Sequence, residues 1–263
     1  MTDSKLRIGL IQMVSEKGAV AENLRVTAAY LAEAAEKQVD IVAFPEGSIS
    51  GFINPIKFPE AVLRLDGPEV TEFLNLTEGL SCTVMAGVIE ENGSDKPYIT
   101  QVVARNGKML GFYRKRTIEN EEVPLFSPGI LPFVFDHRGV TVGTAICADI
   151  DNVVVFADYA GLGARIVFEM AAPGLYGEQA TRNWQTGYDW WEEECLTNFG
   201  RYASAHHLWI AVATQAGRTV DEDFPGGGFV FGPDGRRLFA TVDWSAGGVY
   251  LEIDLDSQRV SRL

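Results

Sequence analysis

Three short segments of this 263-residue sequence each place a reactive side chain directly after an apolar run. They are Phe44-Pro45-Glu46-Gly47, Gly111-Phe112-Tyr113-Arg114-Lys115 and Gly143-Thr144-Ala145-Ile146-Cys147-Ala148-Asp149. A thiol, a carboxylate and an ammonium together suffice for attack on an amide carbonyl. The thiolate is the nucleophile, and a thiol near its ordinary pKa is mostly protonated. The chain holds only three histidines, His137, His206 and His207, so the natural base for Cys147 is the Glu46 carboxylate. Attack builds an oxyanion, to which Lys115 offers a fixed positive donor. An amine departs, a thioester remains on Cys147, and water activated by Glu46 hydrolyses it. Such chemistry requires no metal and no organic cofactor.

Each group also has a plain structural reading. Glu46 could open a helix, Lys115 could belong to a solvated basic cluster with Arg114 and Arg116, and Cys147 could be a small buried hydrophobe. The three together, each at the end of an apolar run, point to chemistry, because layered α/β proteins gather their sites at the carboxyl ends of strands. Other catalytic patterns are absent. Gly47 to Gly51 reads GSISG with Ile49 where a nucleophile elbow needs serine, and neither HExxH nor a phosphate-binding loop occurs. Gly226-Gly227-Gly228 reads as a tight bend.

Lys plus Arg total 22 against 36 Asp plus Glu, a net charge of −14, which argues against a nucleic-acid or anionic-membrane binder. With 46% hydrophobic residues the chain is ordinary globular protein, and at this length about 70% of its surface is buried on folding. Three cysteines make no disulfide scaffold, no apolar run reaches membrane-spanning length, and the first residues carry no secretory pattern. A cytoplasmic location with free thiols is therefore expected. Cys82 and Cys195 read as structural, as do His206 and His207 at the end of a long helical pattern.

The positioning elements read as follows. A strand is expected over 7–13 and a helix over 23–37, with Leu24, Ala28, Leu31, Ala34 and Ala35 on one stripe. A strand at 40–44, a helix at 69–80 and a buried strand at 82–89 come next. Strands 99–104 and 109–113 flank Asn106-Gly107, a hairpin signal. The second half has strands 133–135 and 140–146, a helix at 152–159, a strand at 164–169 and a helix at 188–207. Strands 208–214, 229–231, 237–240 and 248–254 complete it. Helices alternating with strands and hairpins predict an α/β fold of mixed sheets in one domain.

The three reactive segments resemble the nitrilase, or carbon–nitrogen hydrolase, superfamily, which carries Glu in an FPE segment, Lys in YRK and Cys in G-x-x-I-C-x-D. IGLIQM near the start, Phe126-Ser127-Pro128-Gly129 and the late GGGFVFGPDG are also similar to that family. The resemblance covers residues 6–254 as a single domain, with 255–263 as a tail. It implies a four-layer αββα sandwich of two pseudo-equivalent halves that pairs into a homodimer or larger homo-oligomer. It implies Ala148 as a second oxyanion donor through its backbone N–H. It also implies a second glutamate, for which Glu122, four residues before Phe126, fits better than Glu119 or Glu121, which read as a solvated loop.

The chain departs from many amidases of the family after the cysteine. Asp151 stands in register where an Arg would bind a substrate carboxylate, so a neutral or cationic substrate fits better, unless Asp151 merely caps the next helix. Cys-Ala-Asp in place of Cys-Trp-Glu favours an amide or ureido substrate over a nitrile. Tyr113, Asp151 and Trp190 are candidate substrate contacts. The aromatic stretch 174–191, with Tyr176, Trp184, Tyr188, Trp190 and Trp191, fits a pocket wall or a subunit interface equally. The expected activity is hydrolysis of a small linear amide or N-carbamoyl compound, releasing ammonia. Nitrile hydrolysis, acyl transfer and an idle binding protein are the alternatives.

Overall fold

The computed structural model describes residues 4–263. In chain order the first half runs β1 (Lys5–Gln12), α1 (Val20–Glu36), β2 (Ile41–Ala43), β3 (Val62–Leu63), α2 (Pro68–Leu76), β4 (Thr83–Glu90), β5 (Tyr98–Arg105) and β6 (Lys108–Arg114). The second runs β7 (Val134–His137), β8 (Val140–Ile146), α3 (Val153–Gly161), β9 (Ile166–Ala171), α4 (Trp184–His206) and β10 (Trp209–Thr214). The chain then continues through β11 (Ala216–Arg218), β12 (Asp223–Pro225), β13 (Gly228–Phe231), β14 (Arg237–Ala240), β15 (Gly247–Asp254) and β16 (Arg259–Arg262).

One mixed sheet has the order β16-β15-β1-β2-β4-β5-β6, with β3 beside β4. The other has the order β14-β13-β10-β9-β8-β7. The pleat sends alternate side chains to opposite faces, and this makes four layers. Ile8, Leu10 and Ile41 of the first sheet meet Val142, Phe168 and Trp209 of the second in a core between the sheets. On the outer face of the first sheet, Val42 and Val84 pack on Leu24 and Leu31 of α1 and Phe73 of α2. On the outer face of the second, Val167 and Val212 pack on Phe156 of α3 and Phe199 of α4. Each such buried side chain contributes roughly 1.5–3 kcal/mol of transfer free energy. The expected αββα sandwich is the observed fold.

Helix boundaries shift for local reasons. The last helix begins at Trp184 rather than 188, because the Asn183 side chain accepts the Thr186 N–H and starts it there. The second helix stops at Leu76, before Gly79. Strands β3, β11, β12 and β16 were not expected, being two to four residues long and too short to show periodicity. Residues 255–263, expected as a tail, contain β16, which pairs antiparallel with β15. Among the described residues no helix is long and apolar enough to cross a membrane.

Candidate active site

Glu46 lies three residues beyond β2, in a turn clamped onto β4. The Gly87 N–H donates to Ser48 Oγ at 2.8 Å, and the Ile49 N–H donates to Gly87 O at 2.8 Å. A Cβ on Gly87 would stand 2.3 Å from Gly47 N, so only glycine permits this approach. The clamp leaves Glu46 completely buried.

Lys115 directly follows β6, and strand alternation splits the basic cluster. Arg114 turns outward to Glu90, with Nε and Nη2 at 2.8 and 2.5 Å, and stacks on Tyr98. Arg116 turns outward to Asp158 at 2.8 Å. Lys115 turns inward, and its side chain is 1% exposed. Its backbone is fixed on both sides, donating to Ile99 O at 2.9 Å and accepting from Gly129 N–H at 2.7 Å.

Cys147 directly follows β8 with φ +45°, a left-handed conformation costly for a residue with a side chain. The buried Asp149 carboxylate holds this bend. It accepts from the Ile146 N–H at 3.0 Å, the Thr117 N–H at 2.9 Å and the Tyr113 hydroxyl at 2.7 Å. The bond to Thr117 ties the cysteine loop to the chain just beyond Lys115. Tyr113, expected at the substrate, is therefore elsewhere: it is 1% exposed and occupied with Asp149.

These elements bring the expected groups together. Lys115 Nζ lies 3.0 Å from Glu46 Oε1 and 2.5 Å from Glu122 Oε1. The other Glu46 oxygen accepts the Ala172 N–H at 3.0 Å, and that same N–H bears on the Cys147 sulfur. Cys147, Ala148, Lys115 and Glu122 line one cavity of about 620 Å³. Glu119 and Glu121 line it too but make no ion pair with Lys115.

Burial pushes the Cys147 thiol well above its ordinary range, and the Glu46 charge adds to this against the opposing pull of Lys115. Burial alone would lower Lys115, but the surrounding charges of Glu46, Cys147 and Glu122 outweigh it and hold the ammonium protonated. Burial raises Glu122 to about 7, with Lys115 pulling it down and Glu46 pushing it up. The resting arrangement is a protonated thiol, an adjacent carboxylate and a fixed ammonium. A base and an electrophilic donor can thus act on one carbonyl.

A profile of the carbon–nitrogen hydrolase family matches residues 7–262. The chain belongs to the carbon–nitrogen hydrolase family. An omega-amidase from Xenopus laevis is 30% identical over 224 residues, covering 81% of this chain and 75% of that protein. An (R)-stereoselective amidase from Pseudomonas sp is 26% identical over 258 residues, covering 98% and 88%. The glutamine-dependent NAD(+) synthetase of Acinetobacter baylyi is 24% identical over 264 residues, covering 98% of this chain and 46% of the synthetase. The chain thus spans about half the length of that relative. In structure, a carbon–nitrogen hydrolase from Helicobacter pylori matches with TM-score 0.84 and 21% identity, covering 98% and 91%. An amidase from Nesterenkonia sp. matches with TM-score 0.81 and 21% identity, covering 97% and 93%. These two show the shared fold.

Other residues of this carbon–nitrogen hydrolase fall into place around the cavity. Asp151, Trp190 and the exposed Tyr176 line it, so part of the 174–191 stretch is pocket wall. Asp151 does not cap α3, because Asn152 does, accepting the Val154 N–H at 3.2 Å. Lys17 also lines it, with Nζ 2.7 Å from both Asp221 and Glu222. No short-range pattern could have revealed that trio, since Lys17 lies over 200 positions from the two acids. Cys82 and Cys195 are buried, His137 sits between Thr83 and Asp40, and His207 ends α4 with φ +55°.

Glu169 on β9 is a further group that sequence reading passed over. It is completely buried, and no side chain hydrogen-bonds to either carboxyl oxygen, on which only the Cys147 backbone N–H bears. Burial pushes it well above the ordinary carboxylate range, with Asp149 and Glu46 adding to the push. The folded protein therefore keeps a proton that the unfolded chain releases near pH 4.5. The associated stability is complete below that pH and is lost as pH rises toward the folded value. Glu169→Gln, neutral throughout, is expected to match the wild-type melting temperature near about pH 5 and to exceed it progressively toward about pH 8. A difference that stays constant with pH rules out a neutral buried acid at this position.

Proposed function

We propose that this carbon–nitrogen hydrolase cleaves the non-peptide C–N bond of a small linear amide or N-carbamoyl compound through a thioester on Cys147, releasing ammonia. The observation carrying the reading is Glu46, bracketed by Lys115 and by the Ala172 N–H, directly behind a cavity that Lys115, Ala172 and Cys147 line. Glu46 takes the thiol proton as sulfur attacks the carbonyl carbon. Lys115 and the Ala148 N–H receive the charge building on the carbonyl oxygen. Collapse of the tetrahedral adduct breaks the C–N bond, and Glu46 returns the proton to the leaving nitrogen. Water, losing its proton to Glu46, then cleaves the thioester to the acid and the free thiol.

Glu122 positions Lys115. Its ionised form fixes the ammonium, and protonation loosens that hold. Wild-type kcat/KM is therefore expected to fall as pH drops below about 7. In Glu122→Gln, whose amide does not titrate, that limb is expected to vanish. Persistence of the limb in the variant assigns it to another group.

The reading is tested by offering matched amide, ureido and nitrile compounds and measuring ammonia and carbon dioxide. Carbon dioxide appears only from a carbamoyl group. Turnover of the nitrile alone, or absence both of turnover and of any acyl adduct on Cys147, refutes it. Added hydroxylamine that diverts the acyl group shows whether acceptors other than water compete.

A further inference from the structure

The cavity wall carries more negative charge than the proposed reaction uses. Lys115 already faces Glu46 and Glu122, and Lys17 already faces Asp221 and Glu222. Four more carboxylates, Glu119, Glu121, Asp151 and Glu194, line the same space, and among the described residues none of them makes an ion pair. Lys57 is the one further cation in that wall. Asp151 is not spent on capping the helix that follows it, because Asn152 does this.

One of these carboxylates shares its helix with an aromatic side chain that also lines the cavity. Trp190 and Glu194 stand four residues apart on α4 and so share one face, and Trp190 is 41% exposed. An aromatic face beside a carboxylate attracts an ammonium or guanidinium through both its quadrupole and its neighbour's charge. Asp151 lines the same cavity, four residues beyond Cys147 in the bend that carries the nucleophile. A substrate carboxylate would instead meet like charge on most of this wall.

We propose that the substrate is a cation: a short linear amide or ureido compound bearing an ammonium or guanidinium group at the end remote from the scissile carbonyl. The carbonyl lies at Cys147 and Lys115, and the charged end lies among Asp151, Glu194 and Trp190. This rests on the hydrolytic reading for its reaction but not for its binding preference.

The test uses three amides of matched length: 5-aminopentanamide, neutral hexanamide and the monoamide of glutaric acid. Wild-type protein is assayed for turnover, and Cys147→Ala protein for binding by calorimetry. The cationic amide is expected to exceed hexanamide about ten-fold in kcat/KM at low salt, an advantage that shrinks as salt is added. The monoanion is expected to be poorest. The double substitution Asp151→Asn with Glu194→Gln is expected to lower kcat/KM for the cation about ten-fold, chiefly through KM, while hexanamide changes less than about two-fold. Equal handling of cation and hexanamide, or equal losses for both in the double variant, overturns the proposal. Should no amide turn over, tighter binding of the cation to Cys147→Ala sustains the charge preference while the hydrolytic reading falls. Equal binding overturns the preference as well.

Discussion

Cys147→Ala is expected to abolish the proposed ammonia release, a loss of more than about 10⁴-fold, while the protein stays folded. The expectation combines chemistry and backbone. Without sulfur no thioester forms, and neither Glu46 nor Lys115 can take over as nucleophile, because each is bound to the other and buried. Alanine keeps a Cβ at φ +45°, so the local strain is the same in both proteins. The Asp149 bonds that hold the bend reach the Ile146 and Thr117 backbone and the Tyr113 hydroxyl, none of which the substitution touches. Ammonia assays with intact-protein melting curves check both halves. A folded Cys147→Ala protein that keeps even about 1% of wild-type activity eliminates the thioester route.

Glu46→Gln should cost about 10²–10⁴-fold in kcat for an amide. The size follows from the resting state. Burial and the Glu46 charge keep Cys147 protonated, so sulfur cannot attack until a base removes its proton. Glutamine fills the same space but accepts no proton. It also weakens a buried ion pair, and breaking such a pair costs about 3–5 kcal/mol, so the variant's folding must be verified by melting. Lys115 retains Glu122 as a partner, which limits the damage. An activated ester separates the two duties of Glu46. Its leaving group needs no proton, so acylation should suffer less than with an amide, while deacylation still lacks its base. Acyl adduct on Cys147 is therefore expected to accumulate in the variant, visible in the mass of the intact protein. A loss under about ten-fold, with no accumulation, removes Glu46 from the role of base.

Much of this site was legible because its strongest signals are local. Glu46, Lys115 and Cys147 each end an apolar run, and strand ends are where the fold converges. The layers were legible for the same reason, since long runs such as Ile166–Ala171 are buried on both faces. What remained hidden depends on contacts distant in sequence. Tyr113 sits two residues before Lys115 and faces the same side of β6, yet Asp149 claims its hydroxyl. The Lys17 pairing with Asp221 and Glu222 joins the two ends of the chain. Glu169 interrupts a hydrophobic strand with nothing nearby in sequence to explain it. The short strands β11 and β12 exist through their mutual pairing rather than through any propensity of three residues.

Glu46 and Lys115 are delivered by β2 and β6 of one sheet, whereas Cys147 and the Ala172 N–H come from the ends of β8 and β9 of the other. Neither half of the polypeptide holds a working centre by itself. Competence is a property of the seam, so a slight sliding of one layer over its neighbour would silence the enzyme while leaving every helix and strand intact.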